Sequence, residues 1–439
     1  MTIDPATAMS RAYFYPLGIA VALHMVLAVW VPPRFEIDSA FYTVQAESLV
    51  DRGASLDAVG KPETRYPPGY PLFLAAFLAS GLGYAGAILT QHVLWVVIVA
   101  ATVWLVLRAG AATTAAISAG LITALDLPGV QSSISILSET LAAAMVIAAA
   151  SVTWLAMRAP SVAAAIRWSI LAGILGGVTA LVRPIAVALG LPLAVALTIG
   201  ADRRWRWRAA AVLLATFAVV PAVWTIRNVR ETGVATFSSL GGINLLHYRA
   251  AGTLAIRDPG GIDANLVRRR DELEQRACRA LEAEHQRPCE SLSWAERSTT
   301  YAETAWPIIL GDPIATGRQA ARAAAMTLLG SGASLLSEVT GISEPSARIV
   351  CLFYTVPLAL LALAGIPYWW RRNGPFTWLV LLVIGYLIGM ALGAEAYSRF
   401  RVPVIALYAI LCGGGVASLR RPVLSARASL TSVARESKD

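Results

Sequence analysis

Long apolar runs separated by short polar connections dominate this chain. The first run extends from about Tyr13 to Val31, and the stretch from Phe35 to Pro71 is the only long polar segment in the first half. About 20 apolar residues are enough to cross a bilayer as an α-helix. The pattern therefore predicts an all-α membrane protein with a polar loop at the membrane surface.

About ten segments are candidate membrane spans. Besides the first run they are, approximately, Tyr84–Leu107, Ala112–Leu127, Leu137–Met157, Trp168–Leu181, Ile185–Ile199, Ala209–Ile226, Ala347–Trp369, Phe376–Gly393 and Val402–Leu419. The run Tyr70–Ser80 is too short to cross and predicts an interfacial or re-entrant helix.

The composition agrees with this class. Of 439 residues, 57% are hydrophobic and 14% are charged, and the mean hydropathy is +0.62. So little polar surface excludes a soluble globule. In a soluble protein the net charge of +9 would suggest nucleic acid, but here the arginines stand mostly at span ends, and we expect no nucleic-acid partner.

Arginines in the short connections predict the orientation. The basic connections fall on one side together with the N-terminus; they contain Arg108, Arg158 with Arg167, Arg203 to Arg208, Arg371-Arg372 and Arg420-Arg421. By the positive-inside rule that side is cytoplasmic. We therefore expect a multi-pass protein of the cell (inner or plasma) membrane, with the polar loop on the extracytoplasmic side. An expected outer loop at Gly129–Ser135 lies on the same side.

The chain divides into four predicted parts. They are an N-terminal membrane module at 1–227 that contains the polar loop at 32–70, an extracytoplasmic segment at 228–345, C-terminal membrane helices at 346–421 and a cytoplasmic tail at 422–439 with a disordered composition.

The segment at 228–345 contains a predicted amphipathic helix and two cysteines. The helix extends from Asn265 to Glu284, with an apolar stripe of Leu266, Leu273, Ala277 and Leu281 and with Glu272 and Arg276 at i,i+4 spacing. An oxidising exterior would permit a disulfide between Cys278 and Cys289, and two free thiols are the alternative.

The polar loop carries chemistry suited to transfer from a phosphate ester. Asp38 stands just beyond the first span, with Glu36 beside it and Tyr42 one helical turn later. A carboxylate there can deprotonate an acceptor hydroxyl if cations neutralise the phosphate leaving group. Cations at the outer ends of separate segments can converge on it; they are Lys61, Arg65, Arg183, Arg227, Arg399 and Arg401. The structural alternative is that loop acids cap helices and arginines pair with lipid headgroups.

Several motifs, taken together and in order, resemble the GT-C glycosyltransferases. Asp38-Ser-Ala-Phe-Tyr42, Lys61-Pro62 and Tyr66-Pro67-Pro68-Gly69 resemble the first outer loop of bacterial members such as the aminoarabinose transferase of lipid A and the protein O-mannosyltransferases. Further matches are Leu137-Ser138-Glu139-Thr140, Gly173 to Pro184, Pro221 to Gly233, Gly241-Gly242-Ile243-Asn244-Leu245 and Tyr397 to Pro403.

The resemblance implies a membrane bundle with outer loops around a cavity. It implies a sugar donor carried on polyprenyl phosphate and inverting transfer to a lipid, glycan or protein acceptor. It gives Asp38 the role of the catalytic aspartate, and it makes Lys61, Arg65 and the turn with Arg399 and Arg401 candidates for the lipid phosphate.

Two positions depart from the family pattern. Ser39 stands where many members have a second acid, for which Glu36 or Glu139 would substitute. Tyr66 stands where many members have a lysine, whose charge Lys61 or Arg65 would replace.

Further candidates for substrate binding lie on the same predicted face. They are Glu36, Tyr42, Tyr66, Glu139, Asn244, His247 and Tyr397, alongside the cations named above. Interface anchoring, stabilisation of a helix N-terminus and capping are the structural alternatives.

The sequence contains no motif for a resident metal, because the four histidines are scattered and no paired cysteine motif or aspartate cluster occurs. A divalent cation, Mg or Mn, between phosphate oxygens and Asp38 stays open.

Two other functions also stay open. A ligase or flippase for polyprenyl-linked glycans would handle the same lipid, whereas a secondary transporter should show related halves and charges at the membrane midplane.

Overall fold

The computed structural model describes residues 5–330 and 332–419, with side chains from residue 10 onward. Within these ranges the chain is helical and, apart from two isolated bridges, contains no β-structure. The predicted tail at 422–439 and the connection Arg420-Arg421 lie outside the described residues.

The first ten helices extend from Pro5 to Thr232. They are α1 (Pro5–Trp30), α2 (Ile37–Arg52), α3 (Gly69–Ala79), α4 (Gly83–Arg108), α5 (Thr113–Ala124), α6 (Leu127–Ile134), α7 (Glu139–Met157), α8 (Val162–Val182), α9 (Gly190–Gly200) and α10 (Arg206–Thr232).

The remaining helices form the segment outside the bundle and the C-terminal spans. They are α11 (Leu240–Ile243), a π-helix (Asn244–Ala250), α12 (Ala251–Ala255), α13 (Gly261–His285), α14 (Trp294–Gly311), α15 (Pro313–Leu329), α16 (Ala333–Thr340), α17 (Glu344–Arg372), α18 (Gly374–Met390) and α19 (Ser398–Leu419). The first seven residues of α19, Ser398–Val404, are a 3-10 helix.

The described helices form an all-α multi-pass membrane fold. Seven of them are long and apolar enough to cross a membrane, namely α1 from Ser10 onward, α4, α7, α8, α10, α17 and α19, and the bent pair α5–α6 gives an eighth if it counts as one span. Two further predicted spans fold into shorter helices, α9 of 11 residues and α18 of 17 residues. The predicted number of about ten is reached only if both of these are counted as spans.

The polar loop contains a helix and a tight turn. At the start of α2, Ser39 Oγ accepts a hydrogen bond from the backbone N–H of Glu36 at 2.8 Å, and the helix ends at Gly53 with a positive φ of 63°. The following short run forms α3, which buries Tyr70 and Leu74. A Cβ on Gly69 would lie 2.6 Å from the carbonyl carbon of Leu181, so glycine lets this turn pack against the end of α8.

The outer loop predicted at Gly129–Ser135 is instead mostly helical, because it falls within α6. The axis of α6 is bent by 48° from that of α5. The Asp126 carboxylate caps α6 by accepting a hydrogen bond from Gly129 N at 3.0 Å, so the sequence has a helix start that the apolar pattern did not reveal.

The segment between α10 and α17 has a hydrophobic core of its own. Helix α13 buries the predicted stripe of Leu266, Leu273, Ala277 and Leu281, which confirms the amphipathic helix. Glu272 pairs with Arg268 and Arg269 rather than with Arg276. Cys278 and Cys289 are joined by a disulfide, with their Cα atoms 5.3 Å apart.

Most of the predicted basic connections lie together at one end of the bundle. Arg372, the last residue of α17, donates to the carbonyl of Gly110, just after α4. Gly200, at the end of α9, packs against Met157 and Pro375. The polar loop, the start of α7 and the end of α8 meet at the opposite end, where the candidate site lies.

Candidate active site

Four charged side chains from distant parts of the sequence meet at this opposite end. Arg399 Nη2 donates to Asp38 Oδ2 at 2.6 Å, and Arg399 Nε lies 3.8 Å from Glu139 Oε1. Arg183 Nη1 lies 2.5 Å from the same Glu139 oxygen. The result is a chain of alternating charges from α2, α19, α7 and the end of α8.

Local structure explains why these side chains converge. Asp38 lies in the first turn of α2, and Glu139 is the first residue of α7, where a carboxylate is stabilised by the positive end of the helix dipole. Arg183 is the extended residue that ends α8, directly before Pro184. Arg399 lies on the 3-10 turn that leads into α19.

Burial separates the two acids. The side chain of Glu139 is 2% exposed, whereas those of Asp38 and Arg399 are 26% and 32% exposed. Glu139 is therefore a buried counter-ion for the two arginines. Asp38 and Arg399 remain accessible to a substrate.

Asp38 lines a cavity of about 450 Å³, here called the Asp38 cavity. Nine of the predicted site residues line it, namely Asp38, Tyr42, Arg65, Tyr66, Arg183, Asn244, His247, Tyr397 and Arg399. They come from the polar loop, the end of α8, the π-helix and the turn at the start of α19, so the structure brings most of the sequence candidates together.

Burial sets the protonation of two side chains in this cavity. It raises the pKa of the Tyr42 phenol, whose Oη lies 3.2 Å from Ser138 Oγ, so Tyr42 is a hydrogen-bonding hydroxyl rather than a base. Burial also lowers the pKa of His247, although the Glu274 carboxylate 3.6 Å away opposes the shift.

Five predicted residues do not line the Asp38 cavity. Glu36 precedes the first residue of α2, and Glu139 lies behind Arg399. Arg227 donates to the backbone carbonyls of Ser55 and Glu63, both at 2.8 Å, so it holds the polar loop in place. Lys61 donates to the carbonyl of Ser291 at 3.3 Å and lines a different cavity.

Arg401 is the fifth, and its position corrects the expectation that it joins Arg399 at the phosphate. Arg401 Nη2 donates to Asp126 Oδ1 at 2.9 Å, and both side chains are almost fully buried. Arg401 also donates to the carbonyl of Leu328 at 2.7 Å. Residues two apart on a 3-10 helix point about 120° away from each other, so the two arginines of this turn face different surroundings.

Arg65 faces the Asp38 cavity but is bound by neighbours. Its guanidinium pairs with Glu63 at 2.7 Å and lies over two rings, 4.9 Å from the centroid of Phe41 and 4.8 Å from that of Trp294. The charge that was expected to replace the family lysine is therefore already partnered.

Several cavity residues were missed by sequence reasoning. They are Tyr248, Arg249, Glu274, Trp294 and Glu395. Arg249 donates to the carbonyls of Gly389 and Met390, both at 3.1 Å, and Glu395 pairs with Arg270 at 2.7 Å. Proximity to His247 and Tyr397 in the sequence was an available signal for three of them, whereas nothing local marks Glu274 or Trp294.

Asp38, Glu139 and Glu395 at the site are already paired with arginines. Among the described residues, no group of three or more His, Cys, Asp or Glu side chains is placed to hold a metal ion.

A scan against models of protein families finds no match, and a search of curated proteins finds none either. Solved structures of the oligosaccharyltransferase AglB from Archaeoglobus fulgidus do match. The complex with an inhibitory peptide and a dolichol-phosphate gives a TM-score of 0.53 and the apo form 0.51, each at 14% identity. In both cases the match covers 96% of this chain and 52% of the other, so this chain spans about half the length of AglB.

ArnT from Cupriavidus metallidurans bound to undecaprenyl phosphate gives a TM-score of 0.38 at 15% identity, over 92% of this chain and 78% of the other. That similarity is too low to support an argument, and the fold assignment depends on AglB. Together with the helical architecture, the match shows that the chain shares its membrane fold with AglB.

Proposed function

We propose that this protein is an integral membrane glycosyltransferase that moves a sugar from a polyprenyl-phosphate donor to an acceptor hydroxyl. One observation carries the proposal: an accessible carboxylate, Asp38, touches an accessible guanidinium, Arg399, in a cavity at one end of an apolar bundle. The shared fold supports it, because the matching AglB structure is in complex with a dolichol-phosphate.

The arginines supply the phosphate site. A guanidinium presents a planar fork of N–H donors that matches the oxygens of a phosphate. Arg399 and Arg183 both line the cavity, and the buried Glu139 fixes the position of Arg183. The polyprenyl chain stays in hydrocarbon while its phosphate head reaches these two side chains.

Asp38 acts as the general base. The acceptor oxygen attacks the anomeric carbon of the donor while its proton moves to the Asp38 carboxylate. The bond from that carbon to the phosphate oxygen breaks, and its electron pair leaves with polyprenyl phosphate, whose added charge the arginines neutralise. Attack on the face opposite the leaving group inverts the configuration of the sugar.

The site faces the extracytoplasmic side. This placement is supported by the basic connections at Arg108, Arg158 and Arg371-Arg372, which lie at the other end of the bundle and stay in the cytoplasm by the positive-inside rule.

A ligase that transfers a whole polyprenyl-linked glycan is the second candidate, favoured by the fold match to an oligosaccharyltransferase. The mass of the product separates the two functions, because a glycosyltransferase adds one sugar and a ligase adds the complete oligosaccharide.

The test uses membranes that contain the protein and a panel of radiolabelled polyprenyl-phosphate monosaccharides. We expect Asp38→Asn to lower transfer by about 10²- to 10⁴-fold, the usual contribution of a general base, with the amount of folded protein unchanged. Glu284→Gln, which changes an exposed acid on α13 outside the cavity, is the matched control. Undiminished transfer by Asp38→Asn would exclude Asp38 as the base, and uptake into vesicles without a glycoside product would indicate a transporter.

A further inference from the structure

A second cavity lies beside the Asp38 cavity. It has a volume of about 580 Å³, within the range of about 300–1,000 Å³ that ligand sites usually occupy. We call it the Lys61 cavity, because Lys61 lines it and does not line the other. The polar loop forms one side, and the start of α14 forms the other.

The two cavities share a wall of three side chains, Phe41, Arg65 and Trp294, which line both. Arg65 lies over both rings and is fixed from the side by Glu63, whose Oε1 is 3.1 Å from Arg65 Nε. Phe41 follows Asp38 by three residues on α2, so the two side chains are neighbours on one face of this helix. The wall between the two cavities therefore adjoins the base.

The two cavities differ in charge. The Asp38 cavity has three carboxylates and four guanidinium groups, from Asp38, Glu274, Glu395, Arg65, Arg183, Arg249 and Arg399. The Lys61 cavity has five carboxylates and three cationic groups, from Asp57, Glu63, Glu231, Glu290, Glu296, Lys61, Arg65 and Arg297. A phosphate suits the first cavity, whereas the second repels anions.

Two carboxylates of the Lys61 cavity remain available to a ligand. Among the described residues, Glu231 and Glu290 make neither a side-chain hydrogen bond nor an ion pair, and Glu290 is exposed at the cavity mouth. The ammonium of Lys61 has one partner, a backbone carbonyl, and keeps free donor capacity. The lining thus offers both acceptors and donors.

We propose that the Lys61 cavity binds the acceptor substrate and that this acceptor is an uncharged, hydroxyl-rich glycan chain. The inference rests on the proposed glycosyltransferase function and names the acceptor for it. A hydroxyl is both donor and acceptor, so it pairs with carboxylates and with cations alike. An acceptor bearing phosphates or uronic acids is repelled by the excess of carboxylates. A cationic peptide is attracted by that excess, but its ammonium groups offer no acceptor to the free donors of Lys61, whereas hydroxyl groups do.

The experiment measures binding of the detergent-solubilised full chain to an array with three kinds of probe. These are uncharged oligosaccharides, oligosaccharides bearing phosphates or uronic acids, and lysine-rich peptides. Ala58→Trp fills the Lys61 cavity from an exposed position that does not line the Asp38 cavity. We expect the wild type to retain uncharged oligosaccharides. We expect Ala58→Trp to lower this retention at least tenfold.

Substitutions of acids refine the test. We expect Glu231→Gln with Glu290→Gln to weaken retention severalfold, and Glu284→Gln, an exposed acid on α13 outside both cavities, to leave it unchanged. The proposal is overturned if the wild type retains no uncharged glycan, if it prefers anionic glycans or cationic peptides, or if Ala58→Trp binds as well as the wild type.

Failure of this inference is distinguishable from failure of the proposed function. The array requires no turnover, and thermal stabilisation by undecaprenyl phosphate reports the donor site separately. Stabilisation by undecaprenyl phosphate without retention of any uncharged glycan would reject the acceptor assignment and leave the donor chemistry standing. Absence of that stabilisation would count against the glycosyltransferase itself.

Discussion

Two aspartate–arginine pairs have their arginines on the same 3-10 turn, but one pair is partly exposed and the other is buried. Arg399 reaches Asp38 at 2.6 Å with both side chains about a quarter to a third exposed, and Arg401 reaches Asp126 at 2.9 Å with both almost completely buried. The chemical groups are identical, so burial alone distinguishes a site that can exchange partners from a fixed link.

The difference has an energetic meaning. A partly exposed ion pair is easier to open than a fully buried one, because water can solvate the separated charges, so Arg399 can exchange Asp38 for a phosphate. Removal of one partner from a buried pair leaves an uncompensated charge in a medium of low dielectric constant. The Asp126–Arg401 pair therefore joins the bend between α5 and α6 to α19 and cannot release either member without loss of the fold.

The largest expected effect is on the buried pair. Arg401→Met leaves the Asp126 carboxylate without its partner, and we expect the free energy of unfolding to fall by about 3–5 kcal/mol. The midpoint of thermal unfolding in detergent measures it. The double variant Arg401→Met with Asp126→Asn removes both charges, keeps an oxygen that accepts from Gly129 N, and should recover much of the loss. A single variant as stable as the wild type would break the comparison.

Arg399→Gln should produce the second largest effect, on binding rather than on stability. Loss of a charged hydrogen-bond donor to phosphate costs about 1.5–3 kcal/mol, so we expect undecaprenyl phosphate to bind about 10- to 100-fold more weakly. The unfolding midpoint should change far less than in Arg401→Met. Parallel losses of binding and stability would show that Arg399, like Arg401, is a structural residue.

A smaller effect should appear in the pH dependence of stability. Burial lowers the pKa of His247 below that of the unfolded chain, so the unfolded state takes up this proton first as the pH falls. Stability should decrease as the pH drops below about 6.5, the usual histidine value, and continue to decrease through the lower pKa of the folded state. His247→Gln should flatten this part of the unfolding profile, and an unchanged profile would contradict a neutral, buried His247.

The smallest effect is expected at an exposed pair that touches neither site. Glu344 and Arg348 form an i,i+4 pair on α17 with side chains 50% and 69% exposed. Arg348→Gln should lower the free energy of unfolding by only about 0.3–0.5 kcal/mol and leave undecaprenyl phosphate binding unchanged. This variant gives the baseline against which the two aspartate–arginine pairs are measured.

Sequence reasoning predicted the fold class and much of the cavity lining, because apolar runs and outer-face motifs are local signals. It could not separate Arg399 from Arg401, because the direction of each side chain depends on the 3-10 geometry of their turn. It also could not identify Arg227 as a support for the polar loop, since its partners are backbone carbonyls about 165 positions away in the sequence. Trp294 was missed because only the folding of the outer segment brings it to Arg65.

The π-helix at Asn244–Ala250 has a consequence for how the cavity tolerates change in length. A π-turn accommodates one surplus residue relative to an α-turn, and here it carries Asn244, His247 and Tyr248 along the cavity lining. Deletion of that surplus residue would relax the turn to ordinary α-geometry and rotate everything on one side of it by about 100° relative to the other. The register of this wall therefore depends on residue count as much as on residue identity, and a shortened segment would present a different set of side chains to the Asp38 cavity without any substitution.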